Sequence, residues 1–535
     1  MTTPENSRRI FLRNLGLGSG AVLLATCAKG GVALDNGRSR EVYREGEDAV
    51  AEPSVGPKPA PKDLPDNLNR SNFYVHNEKP LALETRRSRL RSSPITPAGL
   101  LFVRNNLPMP DKSIVTHPDE WVLEVKGVHS ERKLTVAQLK TIGRSFETSV
   151  LQCSGNGRAF FAHAPSGSQW SVGAAGCVVW GGVRVSEVAK LLGGPVSGMQ
   201  FLTGTGGENL PEGVDPKLAI VERSVPAEKG LKDCLLAWEM NGEPIPITHG
   251  GPLRLVVPGY FGCNNIKYIQ TLAFTAQESE AKIQQKGYRF RPLGEKGDPE
   301  QPSLWRMPVK SWVNGPGADD TPTLSGRVHF HGVAFSGERG VNKIEVSMDK
   351  GKSWVQAKFD GPSMGPNAWR AFHFAVELEE GEYTIVSRAT DTQGDRQPQS
   401  RDENERGYRY NAWQEAALTA RVVDVLPKAK SAKKTTDKPA ELAALPKKQV
   451  KLSEAGERGK AVFTQKAQPG CGVCHTLSDT ESAGAIGPSL DALKPNLKQV
   501  ENAVTNGVGV MPSFSGSLSP EEISDLAQYI KEATH

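Results

Sequence analysis

The chain of 535 residues contains only seven cysteines. That is too few for a disulfide-stapled scaffold, even in an oxidising compartment. An excess of charge of one sign is also missing: 65 basic and 60 acidic residues leave a net charge of +5. Much of the local basic excess falls between Lys428 and Lys451, so no nucleic-acid partner is expected. Long apolar runs are absent. The stretch Leu15 to Ala28 contains glycine and is too short to span a bilayer, and no other segment reaches spanning length. No internal repeat is visible. What remains is a multidomain globular chain of about three or four domains.

What is present begins with an address. Ser7-Arg8-Arg9-Ile-Phe-Leu-Arg13 precedes that short apolar stretch, and paired arginines in this setting form a twin-arginine export signal. Residues 1–30 are therefore expected to direct the chain to the periplasm. Cys27 offers lipidation as an alternative, but the threonine before it fits that signal poorly. A cleaved leader is the favoured reading.

At the other end stands Cys471-Gly-Val-Cys474-His475. Two cysteines two residues apart, followed at once by histidine, can bond covalently to haem vinyl groups while the histidine ligates iron. The ordinary alternative is zinc, which needs two further soft or imidazole ligands. After His475 only His535 could serve, and no cysteine follows. Met511, in a glycine-flanked Met-Pro turn, offers the sixth ligand, although a lone methionine is more often core filling. Residues 453–535 thus read as an all-α cytochrome c domain. Its first helix is expected over Glu454 to Phe463 and its last over Glu521 to Glu532.

Between the ends, composition marks further segments. Residues 31–71 are proline-rich and read as a linker or arm. Residues 72–300 mix strand-like runs, such as Trp121-Val-Leu-Glu-Val, with short helical stretches and glycine loops, an α+β pattern. Residues 301–426 change to regularly spaced alternating strands, such as Arg327-Val-His-Phe-His-Gly-Val, which suggest an all-β immunoglobulin-like sandwich. Residues 427–452, rich in Lys, Ala, Pro and Thr, read as a flexible linker.

With Cys471, Cys474 and Cys27 set aside, four cysteines remain, each by default a small buried hydrophobe. Cys153 differs, because Leu151-Gln-Cys153-Ser-Gly-Asn156-Gly-Arg158 ends a strand at a small-residue turn. A thiolate there can bind a soft metal, though such a loop alone is more often structural or nucleophilic. Further blocks accompany it in order: Gly-Ala-Ala-Gly-Cys-Val-Val-Trp-Gly-Gly-Val-Arg184, His249-Gly-Gly-Pro-Leu-Arg254 and Asn265-Ile266-Lys267. Ahead of them lies Val103-Arg104-Asn105-Asn106-Leu-Pro-Met-Pro. This array resembles the sulfite oxidase family of molybdenum enzymes over about Asn72 to Arg421.

The resemblance implies a molybdenum–molybdopterin cofactor in a sulfite oxidase fold, in addition to the haem c, with the sandwich serving as a homodimerisation domain. By matching motif, Cys153 would be the metal's thiolate ligand. Val103, Arg104, Asn105, Asn106, His249, Arg254, Asn265, Ile266 and Lys267 would hold the cofactor. Arg104, Arg158, Tyr288 and Arg406 would form the substrate pocket. Two departures stand out: Asn106 replaces a histidine common in the family, and Glu403 replaces a tryptophan ahead of the Arg406 motif. Each arginine singly is an ordinary surface charge; converged, three planar guanidinium forks would suit a small oxyanion. The function expected is sulfite dehydrogenation, with electrons leaving one at a time through the haem to a soluble c-type cytochrome. The alternatives are a sulfane dehydrogenase, a sulfoxide reductase, and an electron-transfer protein with a vestigial molybdenum domain.

Overall fold

The computed structural model describes residues 68–210, 214–319, 321–426, 452–480, 482–483, 490–508 and 511–535. The expected export signal, Cys27 and nearly all of both expected linkers lie outside these residues. Leu68 is buried and Asn69 caps a short turn at Arg70–Asn72, so packing is already established just before residue 72.

The first part is α+β. A three-stranded sheet joins Phe73–Asn77, Ala82–Thr85 and Val103–Arg104. A second sheet runs Glu243–Pro244, Leu235–Met240, Ala175–Arg184, Ser145–Gln152, with Arg254–Val256 added beside Leu235–Met240. Ala175–Arg184 is buried along almost its whole length, which is why it reads as a continuous run of Ala, Gly, Val and Trp rather than an alternation. A third sheet is ordered Arg132–Thr135, Val122–Lys126, Ile269–Thr275, Phe201–Gly206, Glu222–Pro226, with one parallel pair, Val122–Lys126 with Ile269–Thr275. Ser145–Gln152 emerges from the exposed side and is fully buried over its last four residues. It therefore delivers Cys153, the next residue, into the interior.

The β-rich domain that follows consists of two sheets. Val309–Gly315, Gly326–Ser336, Arg370–Leu378 and Lys358–Phe359 form one. Thr323–Leu324, Leu418–Val423, Gly381–Asp391, Val341–Ser347 and Val355–Gln356 form the other. A core including Phe330, Phe372, Ile344, Ile385 and Leu418 lies between them.

In the C-terminal part, helix Glu454–Ala461 packs on the last helix, Pro520–Thr534, which starts with Ser519 and Glu522 in reciprocal capping bonds. Phe463, Val500, Val504, Leu526 and Tyr529 build its core. One detail differs from the all-α expectation: Thr476–Leu477 pairs with Ser482–Ala483. Two-residue strands carry too little periodicity to be seen in a sequence.

Candidate active site

The turn after Ser145–Gln152 is held by backbone bonds, Cys153 N–H to Ala174 O at 3.0 Å and Asn156 N–H to Cys153 O at 3.0 Å. Gly157 then adopts φ +98°, and a Cβ there would lie 2.6 Å from the Tyr410 ring. Only glycine makes this bend without strain, and the bend carries the chain directly into Arg158. The Arg158 guanidinium is buried and donates to the carbonyls of Arg406 (3.0 Å) and Ser168 (2.9 Å). Burial pulls its pKa down, while Tyr408 and Cys153 oppose that.

Arg104, Asn106, Cys153, Arg158, Tyr288 and Arg406 share one wall of a cavity of about 450 Å³. Asn106 is central to it. Its side-chain oxygen accepts from Arg104 Nη2 at 3.1 Å and from the Tyr288 hydroxyl at 3.4 Å. Burial raises the Tyr288 phenol, keeping it a proton donor. The Tyr288 and Tyr408 rings lie 5.5 Å apart, and Arg158 and Arg406 both lie over Tyr408. Glu403 stands outside this wall and accepts from the Ala162 N–H (2.7 Å) while bonding His163 (3.0 Å). The carboxylate found at the second departure thus ties down the loop that follows Arg158.

A smaller adjoining cavity, about 60 Å³, is lined by Asn105, His249, Arg254, Asn265, Ile266 and Lys267, together with Phe102, Cys153 and Glu208. Lys267 donates to Asn105 Oδ1 (2.8 Å) and Thr248 O (2.6 Å), and Arg254 donates to His249 O (2.6 Å). Burial and neighbouring Arg254 push Lys267 well below its ordinary pKa. Burial, with Lys267, takes His249 down to about 3. Arg254 Nε and Thr248 Oγ1 are buried without a partner. Clustered, desolvated cations with unmet donors are stable only when an anion joins them, and a phosphate fits that need. The residues present therefore suit a pterin phosphate, with Cys153 beside it for the metal. Val103 is the exception: it is buried against Phe73 and Leu83 rather than on the cavity wall.

The larger cavity is also lined by Cys471, Cys474, His475 and Met511, with apolar Phe463, Val500, Val504, Leu526 and Ile530. Burial lifts the Cys471 thiol to about 12. Two thiols, an imidazole and a thioether in an apolar pocket are the donor set a haem c requires. Arg406 Nη1 donates to Gly507 O at 3.2 Å and Lys282 donates to Met511 O, so the methionine loop touches the arginine wall directly.

Residues 107–283 match the oxidoreductase molybdopterin binding domain, and 301–421 the Mo-co oxidoreductase dimerisation domain. Residues 454–530 match the family described as cytochrome C oxidase, cbb3-type, subunit III. Sulfite oxidase of Arabidopsis thaliana is 30% identical over 376 residues, 65% of this chain and 94% of its own length. This chain belongs to the sulfite oxidase family. The Gallus gallus sulfite oxidase is 32% identical over 67% of this chain and 80% of its own. The match to the Rattus norvegicus mitochondrial sulfite oxidase, 30% identical, spans 65% of this chain and 66% of that enzyme. Among solved structures, the sulfane dehydrogenase SoxCD of Paracoccus pantotrophus shares the fold, with a TM-score of 0.55 at 23% identity over 71% of this chain and 96% of its own. Membership and the cytochrome match together give a molybdopterin oxidoreductase that also carries haem c.

Tyr408, Glu208 and Lys282 were not singled out by the sequence. Tyr408 sits two residues after Arg406, in Arg406-Gly-Tyr408-Arg-Tyr-Asn411. Glu208 lies just beyond strand Phe201–Gly206, and burial raises it to about 7. No local signal marks it, because it meets Lys267 only in the fold.

Proposed function

We propose that this protein is a periplasmic sulfite dehydrogenase that oxidises sulfite to sulfate and reduces a c-type cytochrome. One observation carries the reading: a single cavity is lined both by Cys153 with the arginines and by Cys471, Cys474, His475 and Met511, the residues expected to hold haem. When bound, the molybdenum group supplies the two-electron oxidation and the haem passes electrons on singly. The chain's own residues do the rest. Arg104 and Arg406 bind the small oxyanion, and Arg158, engaged by backbone carbonyls, adds fixed charge beneath it. The Tyr288 hydroxyl, whose single proton goes to Asn106, lines the anion's pocket, and Asn106 thereby holds that hydroxyl and Arg104 in place. The methionine loop, anchored by Arg406 and Lys282, keeps the haem side facing the oxidation site.

The twin-arginine segment supports export of a folded, cofactor-loaded protein, and the two-sheet domain, which we read as immunoglobulin-like, supports homodimerisation. A steady-state comparison of sulfite, thiosulfate and dimethyl sulfoxide on one purified sample tests the reading. The expected result is cytochrome c reduction with sulfite alone. Turnover of thiosulfate or of sulfane sulfur with sulfite inert moves the protein to a sulfane dehydrogenase, and consumption of the sulfoxide moves it to a reductase.

A further inference from the structure

Lys310 belongs to strand Val309–Gly315 of the two-sheet domain and has no exposed surface. Its ammonium donates to the Asn156 carbonyl at 3.0 Å. Asn156 is the residue whose own N–H closes the turn on Cys153. The Trp312 and Tyr410 rings flank the charge, with centroids 5.7 and 5.8 Å away. Among the described residues no carboxylate lies within ion-pair distance of it. The groups whose charge favours its protonated form are Cys153 and Glu84. Glu84 is already committed, since one oxygen accepts from Ser171 and the Gly173 N–H and the other bonds His76. Burial draws Lys310 down to about 7 against the pull of Cys153. An ammonium buried with one carbonyl and two ring faces is costly, and an anionic centre next to the Cys153 turn would offset that cost.

We propose that Lys310 is a positioning residue for the molybdenum centre, its ammonium, held by the Asn156 carbonyl, placing positive charge behind the Cys153 turn so that the centre accepts its first electron at a higher potential. Reduction adds negative charge in a medium of low dielectric, where a nearby cation stabilises the reduced form more than the oxidised one. The inference rests on the reading of Cys153 as the metal's thiolate ligand.

The test uses the full-length, cofactor-loaded protein and two variants. Lys310→Met keeps length and loses charge, and Lys310→Gln loses charge but keeps an amide donor for the Asn156 carbonyl. The molybdenum potential is followed by paramagnetic resonance during a redox titration, and the haem potential is read optically in the same sample. The expected result is a lower molybdenum potential in both variants, with the haem potential and molybdenum content unchanged. An unmoved molybdenum potential in either variant overturns the proposal. So does a fall in the methionine variant that glutamine reverses, because hydrogen bonding would then be the whole effect. Loss of molybdenum from both variants also overturns it, leaving Lys310 a structural support. Cys153→Ser run in parallel separates the two readings. If serine leaves the molybdenum spectrum unaltered, the ligand assignment fails. If serine alters the spectrum while the lysine variants do not shift, only the role of Lys310 fails.

Discussion

Asn106 shows how one side chain organises a site. Its single carbonyl oxygen serves two donors, Arg104 and the Tyr288 hydroxyl, which approach from different elements. Replacing Asn106 by alanine removes the shared acceptor and leaves both groups without a fixed orientation. The expected cost is about tenfold in kcat/KM for sulfite, about 1.4 kcal/mol in barrier terms, with molybdenum content unchanged. An unchanged kcat/KM would show that neither donor needs the amide. The arginines make a different prediction, because charge that attracts an anion acts in ground and transition states alike. Arg104→Gln and Arg406→Gln should each lower kcat/KM for sulfite more than they lower turnover at saturation. If kcat/KM is unaltered in both, these side chains do not meet the substrate.

The helix pair of the cytochrome shows the same dependence at the scale of elements. A Cβ on Gly459 would lie 2.0 Å from the backbone oxygen of Asp525 in the last helix, so the two helices pack at this separation only around glycine. Arg458 then reaches both oxygens of the Asp525 carboxylate, at 2.7 and 2.8 Å. Gly459→Ala forces the helices apart and should destabilise the haem domain by about 1–3 kcal/mol. Thermal unfolding followed at the haem's absorption should shift down, while unfolding of the remainder stays in place; equal melting of wild type and variant would refute the contact. What the sequence disclosed follows from the same distinction between local and distant determinants. The haem residues Cys471, Cys474 and His475 are contiguous, so chemistry and spacing are legible together. Cys153 was legible because a buried strand and a glycine turn lie immediately around it. Val103 was placed with the cofactor and proves to be core, because side chains alternate along a strand and its neighbours Phe102 and Arg104 take the other face. Tyr408, Glu208 and Lys310 carry no local pattern at all. Each acquires a deciding neighbour (Tyr288, Lys267 and the Asn156 carbonyl, respectively) from a segment far away in the chain, and only the packed structure brings them together.

At the scale of the whole molecule, the arginine wall has a second task. Arg406 lines the cavity of Cys153 and also bonds the Gly507 carbonyl, and Lys282, beside it, bonds the carbonyl of Met511. Burial and the proximity of Arg406 lower Lys282 to about 8. Both donors reach backbone oxygens of the methionine loop, so the residues that would hold the haem and those beside Cys153 are tied together around one shared cavity. Under the proposed function the haem would be the exit for electrons, with the oxidation chemistry left to residues N-terminal of the cytochrome. Ending the chain after Leu426 separates these roles, because strand Leu418–Val423 completes the two-sheet domain before that point. The shortened protein should retain molybdenum and oxidise sulfite with ferricyanide within about twofold of the full chain, since a small acceptor can enter the opened cavity. Its reduction of cytochrome c should fall by about tenfold or more, roughly 1.4 kcal/mol or above in barrier terms. Lys282→Met in the full chain should slow cytochrome c reduction in the same direction but less, since Arg406 still holds the loop. If the truncated protein reduces cytochrome c as fast as the full chain, electrons leave by a route that bypasses the haem, and the shared cavity has no part in turnover.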